Sequence, residues 1–314
     1  MTYTVFVHTN HKQWLGALVS AYSMRRNSKH PERFDVEIIR HADYPFFGEF
    51  EGKPYLRDGV YRTWRNDDLQ SFTPLRFMPP ELMDYQGRAV VVDPDVFAVG
   101  DVYELLSRDM EGKALLCRMR SGLKKVEGCH ATSVMLLDCT KLSHWQVEAQ
   151  FRQMFTFERD YRSWICLKLE EPDTIGFFEH EWNDFDRLTE HTKMLHNTKR
   201  RTQPWKSGLP VDFIPAEQYR LFPPLGWAMR LRRRLFGDYA FLGSYKSHPD
   251  PRQEQLFFGL LKECLEQKIV SEELVRQEMS QNHVRHDAFD VIDRTPRLAK
   301  GPIAAAAPAA ASSL

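Results

Sequence analysis

The 314-residue sequence contains no run near the roughly 18 consecutive apolar residues that a membrane-spanning helix needs. It has no net charge either. Its 43 Lys+Arg balance 43 Asp+Glu, which removes support for a general polyanion-binding surface and makes nucleic acid an unexpected partner. Local basic patches stay open. Cysteine is scarce: Cys117, Cys129, Cys139, Cys166 and Cys264 are odd in number and widely spaced. They have neither the close pairs of a metal site nor the density of a disulfide scaffold, and they read as buried free thiols in a reducing compartment. The opening MTYTVFVHTN has no basic segment leading into an apolar one, so no export signal is expected and the expected location is cytoplasmic. No internal repeat is visible. What is present is 42% hydrophobic residues beside 27% charged, enough to bury a core and inconsistent with disorder.

Short apolar runs alternate with helical spacing through the N-terminal half. Thr4 to Val7 reads as a strand, and His8-Thr9-Asn10 as a turn that caps a helix over about 12–26, where Leu15, Leu18, Val19 and Tyr22 recur. Phe34 to Arg40, Ala89 to Val92, Val96 to Val99, Ala114 to Met119 and Ser133 to Leu137 read as further strands. The stretch from 41 to 70 has little period and reads as loops with a short helix. Phe72 to Met83 reads as helical, broken or restarted at Pro79-Pro80, and a helix is expected to start near Asp138 or Thr140. A long charged helical region is expected over about 251–281. This βαβ rhythm predicts an α/β fold with a mainly parallel, mixed central sheet. The final GPIAAAAPAAASSL is of low complexity and reads as a flexible tail.

The most informative segment is VVVDPDVFAVGDV, residues 90–102. It places Asp93 and Asp95 where a buried strand should end, at the carboxyl edge where open α/β sheets bind ligands. Two carboxylates one residue apart can share a hard cation, with phosphate oxygens completing its shell, which suits magnesium or manganese. Pro94 restricts the turn between them. The valines before the pair and Gly100-Asp101 after it raise the signal above a solvated Asp-x-Asp turn.

With its neighbours, this segment resembles the retaining glycosyltransferases of the glycogenin and bacterial lipopolysaccharide-galactosyltransferase group, which have the GT-A nucleotide-diphospho-sugar transferase fold. Phe72, Arg76 and Pro80-Glu81-Leu82 resemble that group's upstream segment, and His196 with Pro204-Trp205-Lys206 its downstream one. The resemblance implies a nucleotide-sugar donor, most often UDP-linked, and Mn2+ or Mg2+ held by Asp93, Asp95 and His196. It also implies nucleobase contacts at Val7, His8, Thr9 and Asn10, with Arg76 near ribose or phosphate. Configuration at the transferred carbon would be retained. The acceptor would be a hydroxyl on a glycan or glycolipid.

The chain departs from the group's pattern at three places. The Asn of an Asn-Ala/Ser-Gly segment is replaced by Ala131, leaving the hydroxyls of Thr132 and Ser133. No Asp-Gln pair precedes Trp182-Asn183, so Glu170 or Glu171 is the expected carboxylate near the reacting carbon, against a plain reading as exposed loop glutamates. Gln203 stands where Lys usually precedes Pro-Trp, so the diphosphate is expected to meet Lys199, Arg200, Arg201 or Lys206. The division expected is a catalytic domain at 1–212, a helical extension at 213–295 and a tail at 296–314. In the extension, arginines interleave with apolar residues between Gly226 and Phe236, suiting either an anionic membrane surface, on its cytoplasmic face, or an ordinary packed helix. Two rival functions stay open: a nucleotide-sugar-binding protein with little catalysis, and a haloacid-dehalogenase-like phosphatase. The second fits poorly, because Phe97 follows the aspartates where Thr or Val is usual.

Overall fold

The computed structural model describes residues 2–120, 129–213, 223–237 and 239–299. The sequence expected to form a flexible tail lies outside them from residue 300 onward. Strand β1 (Tyr3–Thr9) leads through a short 3-10 turn into α1 (Trp14–Arg26) and then β2 (Asp35–Arg40). Asn10 caps the turn as expected, accepting from the Lys12 amide. Next come β3 (Pro54–Arg57) and β4 (Val60–Thr63), a one-turn helix α2 (Pro79–Leu82), β5 (Arg88–Val92), β6 (Val96–Ala98) and α3 (Val102–Leu106). They are followed by β7 (Leu115–Arg118), β8 (Ala131–Asp138), α4 (Val147–Phe155), α5 (Tyr161–Ile165), β9 (Ile175–Phe178), β10 (Asp184–Phe185) and β11 (Met194–His196). Four helices complete the described chain: α6 (Pro223–Phe236), α7 (Pro251–Glu266), α8 (Glu272–Ser280) and α9 (Ala288–Arg294).

Six strands form the central sheet in the order β2-β1-β5-β8-β7-β9. β1 pairs in parallel with β2 and β5, and β7 in parallel with β9; β8 runs antiparallel between β5 and β7. The sheet is therefore mixed and mainly parallel, with helices flanking it and a helical extension at the C-terminus. Alternating side chains explain why both faces are covered. Phe6, Ala89, Val91, Met135 and Leu137 enter one core with the aromatic-rich residues Phe46, Phe47, Trp64, Phe151 and Trp164. Val5, Val7, Val90, Val92, Val134 and Leu136 enter the other, against Ala17 and Met24 of α1 and Leu105 and Leu106 of α3. Each fully buried valine contributes about 1.5–3 kcal/mol. Strand β5 is thus fixed in depth, and the turn that follows it is fixed with it.

The 41–70 stretch contains loops and a short 3-10 helix over Pro45–Phe50, as expected, and adds the unexpected β3–β4 hairpin. Asp58 and Gly59 at its tip have φ of 59° and 69°, the left-handed pair that a two-residue hairpin turn demands. The expected helix at 251–281 is two helices, with Lys268 at φ 58° ending the first and the Ser271 hydroxyl capping the second. Asp138 does cap a turn, but only a 3-10 one, and the following α-helix starts at Val147. α7 joins α1 through a third core that includes Leu15, Val19, Leu256, Phe257, Leu260 and Trp205. Among the described residues no helix is long and apolar enough to cross a membrane. On α6, Trp227, Leu231, Leu235 and Phe236 are exposed.

The reading of five free thiols is corrected. Cys129 and Cys166 form a disulfide, with their Cα atoms 4.4 Å apart, tying the start of β8 to the end of α5. Their separation of 37 residues in sequence carried no hint of this, because only the packing of α5 beside β8 brings them together. Closing a loop of that size contributes about 2–4 kcal/mol. Disulfides persist in oxidising surroundings, so the cysteines do not support a reducing compartment. Cys117, Cys139 and Cys264 are free and buried, and burial pushes each thiol up to about 12. Alkylation followed by mass spectrometry is expected to label no cysteine in the native protein, three on unfolding without reductant, and five after reduction. Five labels on unfolding alone would remove the disulfide.

Candidate metal centre

Two local devices carry Asp93 and Asp95 into one place. The buried β5 ends at Val92, and the Asp93 amide donates to the Ser133 carbonyl of β8 at 3.0 Å, so the turn begins inside the sheet. The Pro94 carbonyl presses against α1 at Gly16, where a Cβ would lie 2.9 Å from the carbonyl oxygen. Only glycine lets the helix pass this close. The turn closes with the Val96 amide donating to the Asp93 carbonyl at 3.1 Å, and β6 begins.

His196 arrives from a hundred residues further along. β11 pairs antiparallel with β6 and sets His196 directly opposite Val96, next to Asp95. The Asn197 amide donates to the Asp95 carbonyl at 3.1 Å, and the Asn197 side chain donates in turn to Gln253 of α7 at 2.5 Å. Ligand atoms of Asp93, Asp95 and His196 all lie within 4.8 Å of one another. His196 Nε2 sits 3.3 Å from Asp95 Oδ1. Its other nitrogen, Nδ1, lies 2.9 Å from Asn183 Oδ1, while Asn183 Nδ2 donates to Ser133 Oγ at 3.0 Å. The amide orientation so set makes Nδ1 the protonated nitrogen and leaves the Nε2 lone pair facing the aspartates.

The donor set fits a divalent cation. Two carboxylates and one imidazole are hard and borderline ligands that can share one divalent ion. Asp95 Oδ1 is buried and receives no hydrogen bond among the described residues, while Oδ2 accepts from Gln203 Nε2 at 3.1 Å. A buried carboxylate oxygen without a donor is costly unless something positive meets it.

Asp93 has a protein partner already. Arg76 Nε donates to Oδ1 at 2.8 Å, Nη2 donates to Oδ2, and Nη1 donates to Thr132 Oγ1 at 2.9 Å, which donates to the Ile165 carbonyl. The guanidinium expected near ribose or phosphate is thus tied to the first aspartate and to Thr132. His8 Nε2 approaches Asp93 Oδ1 to 2.9 Å, a close contact without hydrogen-bond alignment. Burial by itself would raise the Asp93 carboxyl, but the Arg76 guanidinium outweighs it and holds the group well below the usual carboxylate range. Burial is the largest influence on His8 and lowers its pKa, against the opposing pull of Asp93.

The remaining expected site residues separate by position. Val7 is buried within β1, Thr9 donates to the Asn10 carbonyl, and Asn10 spends its amide on the Asp68 carbonyl and Ser71, holding the 67–71 loop against the strand end. Lys199 is exposed and its amide donates to Asp186. Arg200 lies over the Phe213 ring, within Coulombic reach of Asp95. Arg201 reaches the Leu242 carbonyl. Lys206 is fully buried and paired with Asp212 at 2.7 Å; Tyr245 also donates to that carboxylate, so Lys206 holds the fold there and does not project toward a diphosphate. Glu170 accepts from Trp145 Nε1 at 3.0 Å and lies 2.8 Å from His144 Nε2, which occupies both oxygens of the carboxylate. Glu171 is exposed beside a 3-10 turn. Asn183 and Gln253 support the centre without having been picked out as site residues. For Asn183 the signal was present, in the Trp182-Asn183 segment; for Gln253 there was none, because its role exists only once α7 docks.

No protein-family model matches the sequence, and no curated protein matches it. Among solved structures, the galactosyltransferase LgtC, in complex with donor and acceptor sugar analogs, is similar over 64% of this chain and 89% of its own, at 12% identity and a TM-score of 0.44. The glycosyltransferase GlyE of Streptococcus pneumoniae TIGR4 is similar over 65% of this chain and 57% of its own, at 16% identity and a TM-score of 0.44. Mouse xyloside xylosyltransferase 1 is similar over 64% of this chain and 99% of its own, at 14% identity and a TM-score of 0.42. Similarities this distant decide nothing about the chemistry, which rests on the centre's own geometry.

Removing Arg76 leaves Asp93 buried without its main countercharge, a loss of about 3–5 kcal/mol. Arg76→Ala is expected to lower Tm by roughly 5–10 °C without cation. Added Mn2+ should raise the variant's Tm by more than it raises the wild type's, because the cation replaces the lost positive charge. Equal Mn2+ shifts in scanning fluorimetry would refute a cation at Asp93.

Proposed function

We propose that this chain is a metal-dependent, retaining glycosyltransferase of the GT-A class, moving a sugar from a nucleoside diphosphate sugar to a hydroxyl of a glycan or glycolipid. The observation that carries the reading is the convergence of Asp93, Asp95 and His196, with Asp95 Oδ1 buried and undonated. UDP is the proposed nucleotide, with its base at the end of β1 around Val7–Asn10. Residues 1–212 are the proposed catalytic unit and 213–295 its helical extension.

A divalent cation bound here would supply Lewis-acid neutralisation of the leaving diphosphate. The chain's own residues then have separable tasks. Arg76 keeps Asp93 ionised and fixes its plane. Asn183 presents Nε2 of His196, and Gln203 holds one oxygen of Asp95 so that the other points inward. Arg200 adds positive charge within reach of Asp95, where it would stabilise the departing phosphate. Thr132 and Ser133 stand at the start of β8, where their hydroxyls are shared with Arg76 and Asn183. Since the carboxylate of Glu170 is engaged by His144 and Trp145, a front-face transfer fits best. In it the acceptor oxygen bonds to the sugar carbon as the carbon–phosphate oxygen bond breaks, and the acceptor proton passes to the leaving diphosphate. The exposed Trp227, Leu231, Leu235 and Phe236 of α6, among arginines, support an anionic membrane surface as the place where a glycolipid acceptor is met.

A thermal-shift screen of nucleotide sugars with and without Mn2+ tests the reading. UDP-sugars are expected to raise Tm only with the cation, and Asp95→Asn or His196→Ala to weaken that binding at least about tenfold, 1.4 kcal/mol. Shifts that ignore the cation or survive both substitutions overturn the assignment. Cation-dependent binding without transfer across a broad acceptor panel would make the chain a nucleotide-sugar-binding protein instead.

A further inference from the structure

The cation centre is bordered by more positive charge than one diphosphate needs. Arg200, in the 199–206 loop, lies within Coulombic reach of Asp68, Asp95, Arg57 and Tyr161. A further set lies near Asp93. The guanidinium of Arg118, at the end of β7, lies 4.0 Å from the centroid of Phe185, and that of Arg120 lies 5.9 Å from the same ring. The Phe185 ring meets the His196 ring at 5.5 Å, nearly edge to face. Both arginines are therefore held one aromatic ring away from the cation-facing histidine. Arg118 also donates to the Asn183 carbonyl, which fixes it to the residue that orients His196. Arg120 lies within Coulombic reach of Asp93, Arg76, Arg118 and, from α5, Arg162.

Among the described residues Arg118 and Arg120 make no close ion pair, although Asp184 and Glu181 lie within Coulombic reach of Arg118, and Arg162 has only Asp58, at 3.9 Å. Arg120 is open to solvent, and surrounding protein and the guanidiniums of Arg76, Arg162 and Arg118 lower its pKa against the opposing pull of Asp93. Clustered guanidiniums repel one another, and an anion held between them relieves that repulsion.

Their position along the sheet edge says whose anion it is. The strand order puts β1, where the nucleobase is proposed to sit, on one side of β5 and the cation centre. Strand β7 lies on the other side, beyond β8, two strand spacings or about 10 Å from β5. A nucleoside diphosphate chelated at the centre would run from β1 toward β5, and its sugar and the acceptor would lie toward β7. We propose that Arg118, Arg120 and Arg162 form a subsite for an anionic group on the acceptor, so that the acceptor is an acidic glycan carrying a phosphate or a carboxylate near the receiving hydroxyl. This identification of substrate class rests on the glycosyltransferase reading; the anion subsite itself is measurable without nucleotide or cation.

Isothermal titration with three matched probes tests it: methyl α-D-glucoside, its 6-phosphate, and methyl α-D-glucuronide. At low salt at least one anionic probe is expected to bind ten or more times tighter than the neutral glycoside, and which one does so identifies phosphate or carboxylate as the group. Arg120→Gln with Arg162→Gln should reduce that preference to less than threefold, whereas Arg297→Gln, at an exposed ion pair with Glu266, should preserve it. With Mn2+ and saturating UDP present, the anionic probe should still bind. Equal binding of all three probes, a preference that survives the double substitution, or displacement of the probe by UDP would overturn the acceptor subsite. Failure of UDP to bind at all, beside an intact charge preference, would refute the donor reading and leave the anion subsite standing.

Discussion

A carboxylate buried at the end of a strand has to be met by positive charge, and much of this protein's architecture around β5 follows from that need. Asp93 is carried inward by a strand whose valines are fully buried, and Arg76 reaches it from the segment before α2 with both oxygens in its grip. The same guanidinium donates to Thr132, so the start of β8 is tied to the end of β5 by more than the ladder between them. Thr132 continues to the Ile165 carbonyl, and the next residue, Cys166, is joined to Cys129. One ion pair thus connects two strands, α5 and a disulfide. Buried pairs of this kind contribute modestly to net stability but are expensive to break from one side. Their effect is to make the position of Asp93 non-negotiable.

The second aspartate is treated differently, and the contrast gives the site its polarity. Asp95 has one oxygen held by Gln203 and one undonated, facing His196 Nε2. His196 is itself oriented from behind by Asn183 and kept at the right height by the pairing of β11 with β6. Positive charge is then distributed around this acidic point: Arg200 within Coulombic reach of Asp95, and Arg118 and Arg120 across Phe185 from His196. The zero net charge of the chain is an average over an acidic centre and its basic surroundings.

The C-terminal helices take part in the same construction. α7 shares a hydrophobic core with α1, and its Gln253 holds the Asn197 side chain directly after the cation-facing histidine. α1 in turn passes the Asp93-Pro94-Asp95 turn at Gly16, without a side chain between them. Sequence-distant helices therefore determine the distance between Asp95 and His196, which is why the centre is built from the whole fold and not from one loop.

By itself the sequence determined strands β1, β2 and β5 to β8, the first helix and the Asp-x-Asp turn at the end of β5, while His196 entered through the family resemblance. The former depend on local hydrophobic period and turn chemistry, which are written in adjacent residues. The Asp58-Gly59 hairpin was equally legible, in a dipeptide that forces left-handed backbone, and was passed over amid irregular aromatic sequence. Only the tertiary structure decided the rest. It tied Arg76 to Asp93, put Gln203 on Asp95, buried Lys206 against Asp212, occupied Glu170 with Trp145, and joined Cys129 to Cys166. The partners lie from 6 to 108 residues apart along the chain, and folding selects them. A charged or hydrogen-bonding group has no fixed role of its own; its partner is chosen by packing, and packing is a property of the folded chain.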